Sequence, residues 1–192
     1  MKHNSESGFS YIEVMIALVI LLIGVLGLLS GITASIVQTR SQEQQLLAKQ
    51  VTTSTMESIM SVKESVRETV ANFIGWGAVG NVGTNPHPIT GVNQGVFLTG
   101  FRPVTTNPGP DEIVGTADDT GTPIPGMVRQ IVITDLCDPD RPSPAPVCVS
   151  PQPTGSFPVR FRSVQITVRY QAGAIMQQEV LNTVLTDYTV QN

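Results

Sequence analysis

The chain has 192 residues, with 11 Lys and Arg against 15 Asp and Glu, for a formal net charge of −4. The few basic residues are scattered, which argues against an electrostatic nucleic-acid interface. Charged residues make up 14 % of the chain, while Gly numbers 17 and Pro 14; for the chain as a whole this mixture reads as β-rich structure with long loops and not as an extended coiled coil or a disordered tail.

Met1 to Gly8 is short and polar, with one Lys at position 2. From Gly8 to Val37 the chain reads GFSYIEVMIALVILLIGVLGLLSGITASIV, and Val14 to Leu29 holds no polar side chain. About 20 apolar residues suffice to cross a bilayer as a helix, and a single apolar run can satisfy its backbone groups in lipid only as a helix. Glu13 is the one carboxylate between Glu6 and Arg40. A charge at membrane depth costs about 2.5–3.5 kcal/mol on insertion scales and marks a functional position whose partner must be named. The alternative is that Glu13 sits high enough to reach the headgroups. The leader is too short for an ordinary signal peptide, which carries its own apolar core and a cut site beyond it.

A polar leader ending in Gly8, then Phe9, Ile12, Glu13, Val14 and the run MIALVILLIGVLGL, resembles the class III signal of type IV pilins and type II secretion pseudopilins, most nearly PilV-type minor pilins. The resemblance implies cleavage after Gly8 by a prepilin peptidase and methylation of the new N-terminus at Phe9. It implies that Glu13 of one subunit pairs with the Phe9 amine of a neighbour. It also implies a leader in the cytoplasm, a single pass through the bacterial inner membrane, a periplasmic head, and later residence in the pilus at the cell surface. Partners would be other minor and major pilins, the peptidase and the inner-membrane assembly platform. The expected role is pilus assembly or priming, and pilus-linked adhesion or motility. A type II secretion minor pseudopilin (I-like) is the alternative; a signal-anchored periplasmic enzyme or binding protein is a third reading.

Gly24, Gly27 and Gly31 lie three and four apart, so on a helix they share a face and would admit a second helix closely. Ordinary transmembrane glycine is the plainer reading. No proline occurs from Met1 through Gly80, so no proline kink is expected. Gln38 to Gln50 is amide-rich. Met56, Ile59, Val62, Val66, Val70 and Phe73 then recur at spacings of three and four, as one buried helix face does. One helix is expected to about Ile74, ended by Gly75 and Gly77; a coiled-coil partner helix is the other use of the stripe.

Gly75 to Gly95 is glycine- and turn-rich, hence an exposed loop between helix and sheet, with Trp76 as its anchor. His87 stands between two prolines and is not read as a ligand. Gly95 to Arg102 is the expected first strand. Asn107 to Gly126 is turn-rich and crowds Asp111, Glu112, Asp118 and Asp119 together. Oxygen-rich loops bind calcium, and Asp111, Asp118 and Asp119 are the candidate ligands, although the spacing is not that of an EF-hand and a solvated acidic hairpin needs no metal. No other cofactor is expected. Met127 to Thr134 is a strand, with Val128 and Gln130 alternating against Arg129 and Ile131.

Cys137 and Cys148 bracket CDPDRPSPAPVC. In an exported domain a disulfide is the default, worth about 3 kcal/mol for a loop of this size; two free thiols or half a zinc site are the alternatives. Phe161 to Tyr170 places Val164, Ile166, Val168 and Tyr170 on one face. Gln171 to Ala174 is the turn, and Ile175 to about Tyr188 returns as the partner strand. No HExxH, GxSxG or phosphate loop appears, so the chain is not read as an enzyme. The expected fold is α+β and type IV pilin-like, a long N-terminal transmembrane helix packed on an antiparallel β-sheet head. Its expected divisions are a leader at 1–8, a membrane half of the helix at 9–37, a periplasmic half at 38–74 and the head at 75–192.

Overall fold

The computed structural model describes residues 10–65, 75–87, 90–136, 159–173 and 175–187. Helix α1 spans Tyr11–Glu64. Among the described residues four strands follow: β1 Arg102–Asn107, β2 Thr120–Leu136, β3 Phe161–Ala172 and β4 Ile175–Thr186. The long apolar helix and the antiparallel sheet give the α+β, type IV pilin-like architecture. The chain divides into two compact units, residues 1–42 and 43–192.

In the first unit α1 carries its apolar residues outward, with Leu18, Ile20, Leu22 and Leu28 all more than half exposed. It is long and apolar enough to cross a membrane. Leu, Ile and Val are the residues lipid accepts, and the absence of proline keeps each backbone bond within the helix.

In the second unit the rest of α1 buries Ala48, Val51, Thr52, Thr55, Ile59 and Val62, one stripe at spacings of three and four. Ile59 and Val62 belong to the expected stripe; Met56 is only partly buried. Val66, Val70 and Phe73 lie outside the described residues. The helix ends at Glu64, about ten residues before the expected stop. The Gly75 amide donates to the Val62 carbonyl at 2.9 Å. An unbroken helix would carry residue 75 about 20 Å beyond residue 62 at 1.5 Å per residue.

The strand order is β1-β2-β3-β4, every pair antiparallel. The inner face presents Met127, Ile131 and Ile133 from β2, and Val164, Ile166, Val168 and Tyr170 from β3, all buried. The alternation expected of β3 is therefore the observed one, and on β2 it is the Arg129–Ile131 side that faces the core. Burying a Val or Ile side chain contributes about 1.5–3 kcal/mol, so this face and the helix stripe are what hold the head together. The final hairpin turns tightly, since Ala172 pairs with Ile175.

Two strand expectations are corrected. Gly95 to Arg102 is not a strand beyond its last residue. Phe97 is fully buried and makes only an isolated bridge with Asn81; its apolar character serves a loop anchor. The first strand is instead Arg102–Asn107, an edge, where Pro103 needs no inward donor. The turn-rich stretch ends sooner than expected, because β2 begins at Thr120. Its first half pairs with β1 and its second half with β3.

Candidate functional site

Glu13 stands in the first turn of α1 and is exposed. Its amide donates to the Ser10 carbonyl at 2.9 Å, and so does that of Val14 at 3.3 Å. A carboxylate at a helix N-terminus meets the positive end of the helix dipole, typically worth about 0.3–1 kcal/mol at exposed sites. Gly24, Gly27 and Gly31 have nothing within 4 Å of where a Cβ would stand. At about 100° per residue, Glu13 and the three glycines fall within an arc of about 60° on one side of the helix. The acid and the close-approach positions thus share one face, a relation that spacing alone could have shown. Gly8 and Phe9 lie outside the described residues.

The acidic loop is a folded turn laid on the head. The Asp111 carboxylate accepts from the Ile113 amide at 2.8 Å. Asp118 accepts from the Thr116 hydroxyl at 2.6 Å and from the Asp111 amide at 3.4 Å. Asp119 accepts from the Gly115 amide at 2.9 Å and from Arg129 Nη2 at 2.9 Å. Desolvation raises the Asp111 carboxyl above its usual value, with the Asp118 charge adding to the rise and the Ile113 amide opposing it. The Thr116 hydroxyl holds Asp118 below its usual value. The carboxylates of Asp111 and Asp118 are neighbours, but Asp119 is turned onto an arginine, and a cation seated there would meet that guanidinium. Among the described residues no three His, Cys, Asp or Glu side chains group as a metal site requires. Cys137 and Cys148 lie outside the described residues.

Three buried polar groups were not legible from the sequence. Arg129, 5 % exposed, lies on the inner face and donates to Asp119 and, at 3.2 Å, to Thr55 of α1. Burial pushes its guanidinium down from its usual value, and Asp119 opposes the shift. Arg162, 4 % exposed, reaches Asp135 at 3.0 Å and the carbonyls of Trp76 and Val79. It also lies 4.5 Å over the Trp76 ring, while Trp76 Nε1 donates to the Val159 carbonyl at 2.6 Å. Trp76 is thus an anchor beneath the loop. Asn81 bonds the backbone of β2 at Ile131 and Ile133. These groups brace the head; each is engaged within it. A cleft of about 210 Å³ over the Asp119–Arg129 pair is lined mainly by apolar groups such as Leu98, Pro123 and Ile131.

With that geometry in place, the comparison with protein families is decisive for the N-terminus. Residues 3–29 match the family model described as the prokaryotic N-terminal methylation motif. This chain carries a type IV pilin-like signal. The motif spans Gly8, Phe9 and Glu13 and ends two residues before Gly31, so it takes in the acid and two of the three glycines on its face. No curated protein matches the chain, and no solved structure does. The motif implies a prepilin-like substrate and a membrane-anchored helix; it reaches no part of the sheet.

Proposed function

We propose that this chain is a minor pilin of the PilV type, a structural subunit and not an enzyme. It is cut between Gly8 and Phe9 by prepilin peptidase, methylated on Phe9, held in the inner membrane with its head in the periplasm, and built with other minor and major pilins into or beneath a type IV pilus by the inner-membrane assembly platform. The observation that carries this reading is Glu13. It is a carboxylate at the start of an otherwise apolar helix, inside a methylation motif and on the same side as Gly24, Gly27 and Gly31.

Cleavage frees a positive amine on Phe9. In lipid that amine and Glu13 are each unfavourable alone, and separating a buried ion pair costs about 3–5 kcal/mol. Pairing between neighbouring subunits sets their axial register, and the glycines let the helices approach. The test compares Glu13→Val with Gly8→Val, following the protein in membranes and in sheared pili. Glu13→Val is cleaved normally but enters pili poorly, whereas Gly8→Val accumulates uncut in the membrane. Wild-type incorporation of Glu13→Val would contradict the pairing.

A further inference from the structure

Two tethers set the direction of α1 on the sheet. Arg129 of β2 donates to Thr55 at 3.2 Å, and Arg129 pairs in register with Val168 of β3. Arg162, toward the other end of β3, holds the carbonyls of Trp76 and Val79, just after the Gly75 amide that closes on Val62. β3 therefore runs toward Ala172 as α1 is followed back toward Ala48. From Val168 to Ala172 is about 13 Å of strand, a length that about nine residues of helix cover. Ala172 and its partner Ile175 thus lie beside about residue 46 of α1.

That end of the head carries no charge on its strands. Residues 120–128 and 170–178 hold no Asp, Glu, Lys or Arg, and Gly126 lies against Gln171. Ile175 and Met176 there are 67 % and 57 % exposed. α1 itself contributes Glu43 and Lys49, one of each sign. The acidic loop is tied further along α1, by the Val114 amide to Ser58 at 3.4 Å, and the Asp135–Arg162 pair marks the far end of β3. The apolar run of α1 stops at Val37, only about nine residues or 14 Å before residue 46. From Tyr11 to Val37 that run measures about 39 Å against a hydrocarbon core of about 30 Å. Helices relieve such an excess by tilting, and side chains at the interface fix the tilt. We propose that Ile175 and Met176 are such an anchor, resting in the headgroup layer of the membrane that α1 spans and holding the head down on its β4 side. The inference rests on the membrane-anchored reading above. Because α1 already keeps the head at the bilayer, the contact is intramolecular and two side chains suffice.

The test places the full chain in lipid nanodiscs, one copy per disc, and follows its methionine methyl groups by NMR with nitroxide-bearing lipids. Met60 is the reference, since it is also exposed but lies about 21 Å further along α1 than residue 46. A nitroxide on the lipid headgroup is expected to relax the Met176 methyl at least about fivefold faster than that of Met60, because the effect falls steeply with that distance. Ile175→Glu lowers the Met176 effect at least about twofold, since a carboxylate leaves the apolar boundary for water. Asn182→Glu, further up the same strand, leaves it unchanged. Both positions are exposed, so either charge is solvated in the folded head. Equal relaxation of Met176 and Met60, an Ile175→Glu protein that behaves as wild type, or an effect at Met176 that appears only in discs holding two copies would each overturn the proposal. A nitroxide deep in the acyl chain reports on Met15 separately. If Met15 relaxes and Met176 does not, the head contact alone fails; if Met15 escapes too, the membrane-anchored reading fails with it.

Discussion

Asn81 binds Ile133 as a neighbouring strand would. Its Oδ1 accepts from the Ile133 amide at 2.8 Å, while its Nδ2 donates to the Ile131 carbonyl at 2.9 Å. β1 pairs with β2 only as far as Arg129, so beyond that point one edge of β2 would be buried with its backbone unpaired. A single carboxamide fills the gap, and a third bond to the Phe97 carbonyl at 3.3 Å ties in the loop. Gly95 lies against the same place: a Cβ there would stand 2.1 Å from the Asn81 carbonyl oxygen.

Replacing Asn81 with Leu leaves a buried donor and a buried acceptor without partners. Each costs about 1–3 kcal/mol, so a loss of about 2–6 kcal/mol is expected. Urea unfolding followed by the fluorescence of Trp76, the only tryptophan, measures it. A change below about 0.5 kcal/mol, within the ordinary range for surface substitutions, would mean that water or a backbone shift replaces the amide.

The Asp119–Arg129 pair is the second brace. Asp119→Ala strands a guanidinium that is 5 % exposed, and an unpaired buried charge typically costs about 3–5 kcal/mol. The double change Asp119→Leu with Arg129→Met removes both charges and is expected to be less destabilising than Asp119→Ala alone. The same unfolding experiment ranks the two, and the reverse order would show that the pair contributes through something other than compensation of charge.

Acid acts on the loop through Asp118. Its folded value is depressed by the Thr116 hydroxyl, so its contribution is present above the usual aspartate value of about 3.9 and is lost as pH falls through the lower folded value. Asp111 is shifted the other way by desolvation, so its ionisation opposes folding as pH rises through that range. Carboxyl NMR titration should find Asp118 below the usual value in wild type and moved back up in Thr116→Val. An Asp118 that titrates identically in both proteins would contradict the assignment.

Ile59 and Met60 are adjacent on α1, yet Ile59 is fully buried and Met60 is 37 % exposed. Ile59→Ala should cost about 2–5 kcal/mol. Met60→Ala should cost well under half of that. Equal losses would show that the helix packs on the sheet by a different face.

Legibility followed the chemistry of each element. The apolar run and the final hairpin could be read because their periodicity is carried by Leu, Ile and Val. The upper end of the buried helix stripe was missed because two of its members are threonines. Thr52 donates to the Ala48 carbonyl at 2.8 Å and Thr55 to the Val51 carbonyl at 2.7 Å. Each hydroxyl is thereby satisfied within the helix, and the residue buries as if it were apolar. The start of β2 was hidden by Pro123, Pro125 and their glycines, which a strand tolerates where it has a neighbour on one side only. At the N-terminus, Glu13 stood out because a lone charge in an apolar run has a cost. The buried arginines gave no such signal, since their partners Asp119 and Asp135 are distant in sequence and only the fold brings them together.

The mass of the intact protein purified from its own membranes bears most directly on whether this is a processed pilin-like subunit. The expected species begins at Phe9 and is one methyl group heavier than the unmodified chain. A protein that retains Met1, or one cut beyond the apolar run, would contradict the account.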